Sequence, residues 1–187
     1  MVFAKLKNCS AKSGYTLVEV LVVVIIMGIL SAMGVAGLQG AVANARVKDA
    51  AINTAAFLER VATESRKLSA ELCLVKAPGD NSKLLVYKSD ETSNYCHGTV
   101  LDSLVIESPN RFVNLKECGL VTADWISGAN PAIFEPRRGL SAAPIEGAVC
   151  VQYGTADRYG AARKLKQVNG IKAQWKVGEG SSGWMDL

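Results

Sequence analysis

Residues 20–38 read VLVVVIIMGILSAMGVAGL, 19 positions without a charge, and no other stretch constrains the fold so strongly. At about 1.5 Å of rise per residue, a helix of roughly 20 residues crosses the ~30 Å hydrocarbon core of a bilayer. Extending the run back to Tyr15 adds a single carboxylate, Glu19. The pattern predicts a membrane-spanning helix rather than a core helix. Ahead of it lies MVFAKLKNCSAKSG, with Lys5, Lys7 and Lys12 and no acid. By the positive-inside rule this start stays in the cytoplasm and the remainder faces outward. A secretory signal peptide shares the basic start and apolar middle, and small residues at 31–33 and 41–43 would suit its cleavage. Glu19 argues the other way, because a carboxylate inside an apolar run is costly and asks for a functional partner.

The rest of the chain is close to neutral. Lys and Arg number 21 against 17 acids; without the three leader lysines the balance is 18 against 17. Bulk charge therefore steers the protein weakly, and a nucleic-acid role would need a local patch. The single histidine, His97, excludes multi-histidine metal sites and leaves a triad-type mechanism one possible base.

Gly14-Tyr15-Thr16-Leu17-Val18-Glu19, with its basic leader and following apolar run, resembles the cleavage and methylation segment of type IV pilins and type II secretion pseudopilins. The resemblance implies that a prepilin peptidase cuts after Gly14 and that Tyr15 becomes the N-methylated first residue. Tyr15 stands where Phe is most frequent in the family. Cutting at a glycine leaves the helix intact and exposes a cationic amine four residues from Glu19. A carboxylate that meets this amine, within the chain or from an adjoining subunit, lowers the cost of either charge in lipid. The family implies the intersubunit pair, with Glu19 setting axial register in a filament. The plainer role is a helix-start acid that complements the macrodipole.

The chain divides into a leader at 1–14, a transmembrane and assembly helix at 15–40, an amphipathic half-helix at 41–70 and a β-rich head at 71–187. Gly28, Gly34, Gly37 and Gly40 interrupt the apolar run, and each costs roughly 1 kcal/mol relative to Ala, so 34–40 is where loosening is expected. Ile52, Ala55, Ala56, Leu58, Val61, Ala62 and Leu68 form an apolar stripe among charged residues, as on a helix that carries a head. Beyond it, ELCLVKA, KLLVYK, TVLDSLVIE, RFVNL, PAIFE, GAVCVQY, GAARKLKQV and IKAQWKV read as antiparallel strands separated by polar turns. Asn169-Gly170 suits a two-residue hairpin loop. The fold class is α+β, a long helix packed on a sandwich-like antiparallel head, and the order of elements resembles the GspH/FimT minor pseudopilins.

Cys9 would leave with the leader, so Cys73, Cys96, Cys118 and Cys150 remain in an oxidising compartment, where an even count favours disulfides in any of three pairings. Zinc is disfavoured by the wide spacings, and Glu179 with Asp186 is too sparse for calcium. No catalytic motif occurs, so neither an enzyme nor a cofactor is expected; a Cys96–His97 pair would need a free thiol. Arg158, Arg163, Lys164, Lys166, Lys172 and Lys176, with Tyr159 and Trp175 among them, form a cation-rich segment that could bind DNA if one face gathered them.

These features together imply a minor pseudopilin or minor type IV pilin of the bacterial inner membrane. Its partners would be other pilin subunits and the prepilin peptidase, and its work assembly into or at the tip of a filament. A DNA-binding pilin for uptake and a membrane-anchored envelope enzyme are the alternatives.

Overall fold

The apolar run and the amphipathic stretch behind it form one helix, α1, Leu17–Leu68. The computed structural model describes residues 14–89, 96, 98–127, 131–137, 139–140, 146–165 and 170–187. The chain falls into two compact units, Met1–Gly40 and Ala41–Leu187. In the first, helix continues through Gly28, Gly34, Gly37 and Gly40. The four glycines therefore do not interrupt the helix here, since a helix already nucleated on both sides tolerates single glycines.

In the second unit the helix buries Ala43, Val47, Ala50, Thr54, Leu58, Val61 and Ser65, a row at three- and four-residue spacings. The stripe differs from the sequence expectation: Ile52 and Leu68 are about half exposed, Ala56 is exposed too, and Val47, Ala51 and Thr54 take buried places. Small residues win there because the sheet comes close. α1 ends on a left-handed residue, Ser69 (φ 48°), with the Ala70 amide donating to the Ser65 carbonyl at 3.2 Å. That 6→1 bond is the Schellman closure, usually made around glycine. The buried Ser65 hydroxyl lies 2.8 Å from the Phe134 carbonyl and pins the helix end to the head.

Each of the eight segments read as strands contributes one: β1 Leu72–Lys76, β2 Lys83–Lys88, β3 Val100–Val105, β4 Asn110–Val113, β6 Ala132–Glu135, β8 Gly147–Tyr153, β9 Arg158–Lys164 and β10 Lys172–Val177. Three two-residue strands complete the set, β5 Ala123–Asp124, β7 Gly139–Leu140 and β11 Met185–Asp186. They are too short to carry a period. One sheet has the order β3-β2-β1-β6-β7 and the other β11-β10-β9-β8-β4, with β5 added to β8. All pairs are antiparallel except β5 with β8.

α1 packs on both sheets at once. One apolar cluster joins Val47, Leu58 and Val61 of the helix to Leu72, Leu74 and Val86 of one sheet and to Phe112, Val149 and Val151 of the other. The opposite face of the second sheet carries a smaller cluster of Val113, Leu115, Cys118, Cys150, Tyr159 and Ala161. At Gly160 helix and sheet come close together. A Cβ there would lie 2.7 Å from the Val47 carbonyl oxygen and 2.8 Å from Ala51 Cβ.

β9 and β10 form the expected antiparallel pair, in a different register. Arg163 lies opposite Lys172 and Tyr159 opposite Lys176, so the pairing is centred between residues 167 and 168, not on Asn169-Gly170. Residues 166–169 lie outside the described residues. Gly170 has φ +134°, the left-handed freedom that glycine supplies there.

Candidate assembly segment and the head surfaces

Gly14, Tyr15 and Thr16 precede α1, and Tyr15 is 85% exposed. Thr16 is the N-cap. Its Oγ1 accepts from the Glu19 amide at 3.2 Å, while its own amide and hydroxyl both donate to Glu19 Oε2 at 3.3 Å. This reciprocal arrangement is a capping box, which satisfies donors that the first helical turn leaves open. The T-x-x-E spacing announces it in the sequence, but the cost of an acid in lipid drew attention to Glu19 and left Thr16 unnoticed. The carboxylate therefore sits folded back over the helix start, on the side from which Tyr15 and the Gly14–Tyr15 bond emerge.

Behind the cap the helix offers apolar surface in every direction. Leu21, Ile25, Ile29, Met33 and Leu38 are each at least half exposed, and a Cβ on Gly28, Gly34 or Gly37 would meet nothing within 4 Å. Among the described residues α1 is the one helix long and apolar enough to cross a membrane. Its segment through Leu38 is about 33 Å long.

The model of the prokaryotic N-terminal methylation motif matches residues 9–35. The match supports a type IV pilin-like protein with a prepilin leader. That motif implies processing by prepilin peptidase and assembly with other pilins, and together with the apolar helix it suggests membrane anchoring. No curated protein and no solved structure matches the chain.

In the head of this pilin-like chain, Cys73 of β1 is bonded to Cys96, and Cys118 to Cys150 of β8, with Cα separations of 5.5 and 6.7 Å. Cys118 and Cys150 are fully buried in the smaller cluster. Cys96 has no free thiol to serve a Cys–His pair; His97, like Cys9, lies outside the described residues. Among the described residues no group of three or more His, Cys, Asp or Glu side chains could hold a metal ion.

The cation-rich segment is divided by its own register. Arg163, Lys172 and Lys176 fall on one face of the β9–β10 pair, and Arg158 and Lys164 on the other, because alternate strand residues point to opposite faces. Lys166 lies outside the described residues. Arg158 is drawn to the helix, its Nε 2.8 Å from Asn44 Oδ1. Lys172 is paired with Asp186 at 3.0 Å. Lys176 is fully buried, its Nζ donating to the Gly180 carbonyl and lying 5.1 Å from the ring centres of both Tyr159 and Trp184. Burial pushes its pKa down, against a smaller upward pull from Glu179. Trp175 is covered by the Lys48 ammonium at 3.8 Å. Asp186 accepts from Gln174 and Lys172, which hold its carboxyl below the usual carboxylate range. The described cations of this segment are thus spread over two faces and partly spent on internal partners, so no one face gathers them all.

Proposed function

We propose that this is a minor pseudopilin or minor type IV pilin of the GspH/FimT-like kind, a structural subunit that joins or primes a short filament through α1. What carries the reading is the junction at 14–19: a glycine, an exposed aromatic, and a capped, acid-bearing start to a helix whose apolar side chains are exposed among the described residues. Apolar surface of that extent needs lipid before assembly and other helices after it. The long helix followed by a two-sheet head supports the finer placement. Glu19 sets register by meeting the amine that cleavage creates on Tyr15, and the head lies outside the inner membrane. The work is assembly, not turnover. The dispersal of the cations leaves the DNA-binding reading with less support.

Mass spectrometry of the mature chain tests the proposal. It should begin at Tyr15 with a methylated amine, and Gly14→Leu should accumulate the full-length precursor. A mature chain that begins elsewhere would overturn the assignment.

A further inference from the structure

Beyond β10 the chain passes over the smaller apolar cluster as residues 178–184 and returns as β11. This strap is tied at its two ends, by the Gly178 amide donating to the Asp157 carbonyl at 2.7 Å and by the pairing of Met185 with Trp175. Between the ends, among the described residues, one hydrogen bond holds it, from the Lys176 ammonium to the Gly180 carbonyl. Residues 179–183 are all exposed. Gly178, Gly180 and Gly183 take positive φ, and each regains more chain entropy on release than another residue would. A segment with few bonds and little burial opens at a fraction of the free energy that unfolds the whole domain.

Beneath the strap lies the Cys118–Cys150 bridge. Trp184 packs against the cluster that contains both cysteines, and neither cysteine has any exposed surface. Gly119, next to Cys118, lies so close under the strap that a Cβ on it would stand 3.0 Å from the Ser181 amide nitrogen. The Cys73–Cys96 bridge is covered differently, since Cys96 is partly exposed. Thiol–disulfide exchange needs a thiolate to reach a sulfur, so access decides which bridge reacts. We propose that residues 178–184 are a latch that keeps thiols from Cys118–Cys150: exchange there requires the strap to lift while the rest of the head stays folded, whereas Cys73–Cys96 exchanges without it. The latch belongs to the head alone and does not depend on the filament reading.

Dithiothreitol tests this on the full-length, detergent-solubilised chain, with freed thiols alkylated and located by mass spectrometry. One reagent thiolate attacks a bridge sulfur and breaks the S–S bond. The second releases the cysteine from the mixed disulfide, so the reagent closes to its cyclic disulfide and two electrons and two protons end on the cysteine pair. Reduction of Cys118–Cys150 in the parent should be insensitive to low urea, because lifting a strap exposes little surface. It should be about tenfold faster in Trp184→Ala, which takes a partly buried ring off the strap. Val61→Ala, in the larger cluster, destabilises the head from outside the strap and should leave that rate near the parent's. Reduction of Cys73–Cys96 should be equal in the three proteins. A Cys118–Cys150 rate that climbs with urea from the first addition, or that rises in Val61→Ala as the melting temperature falls, would overturn the latch and assign protection to the whole fold. The urea measurement decides even where Trp184→Ala does not fold. In a folded Trp184→Ala, an unchanged rate, or equal acceleration of both bridges, would overturn it as well.

Discussion

Thr16 and Glu19 hold each other at the start of α1: the Thr16 amide and hydroxyl converge on one carboxylate oxygen, and the Glu19 amide returns a bond to the hydroxyl. The two members serve different ends. Both help to close the helix, but only Glu19 carries a charge that could meet an amine freed on Tyr15. Thr16→Ala should fray the first turn at a cost of about 1 kcal/mol, seen as faster amide exchange at 17–20, and should still assemble. Glu19→Ala should be cleaved and inserted normally yet recovered poorly in filaments. Equal assembly of Glu19→Ala and the parent would sink the register argument.

At Gly160 the sheet meets the helix backbone with no room for a methyl group. Gly160→Ala should cost roughly 1–3 kcal/mol by overpacking, because neither the Val47 carbonyl nor Ala51 can turn away. A thermal melt of the detergent-solubilised chain should drop by several degrees. An unchanged melt would mean that helix and sheet can separate there without penalty.

The long elements were legible because each carries a period that chemistry enforces: apolar every three to four residues for the head-bearing half of α1, and β-branched runs between turns for the strands. What escaped was set by partners distant in sequence. Ile52 looks like a core residue until Val47, Ala51 and Thr54 are seen filling the close approach to β9. Asn169-Gly170 looks like a tight turn until the pairing of Arg163 with Lys172 moves the centre of the hairpin. Whether the cations of 158–176 share a face could not be read from the sequence, because proximity along the chain does not say which face of a strand each occupies. Cysteine count pointed to bridges, but only the fold selects Cys73 with Cys96 and Cys118 with Cys150.

Ser69 holds the left-handed position that closes α1. A side chain there costs on the order of 1 kcal/mol that glycine avoids. Ser69→Gly should therefore stabilise the head, raising the melting temperature by about 2–4 °C. A decrease would show that the serine side chain is needed for a reason other than backbone conformation.

Lys176 gives the head a particular response to alkaline pH. Its ammonium is buried between Tyr159 and Trp184, with the Gly180 carbonyl as acceptor and Glu179 as the nearby carboxylate that favours the charged form. Burial outweighs that help, so the folded pKa lies below the unfolded value of 10.5. Between these two values the unfolded chain binds more protons than the folded one, and stability rises with pH through that window. Tyr159 works in the opposite sense only at higher pH. Its folded pKa is raised, first by burial and then by Asp157, Glu179 and Glu117, so the unfolded phenol ionises first, near 10.0. The parent chain should therefore gain thermal stability relative to Lys176→Met as pH rises through the window that ends at the unfolded value of 10.5, and lose that trend above it. Melting curves for the two proteins that run parallel across this range would show that the buried ammonium carries no desolvation cost.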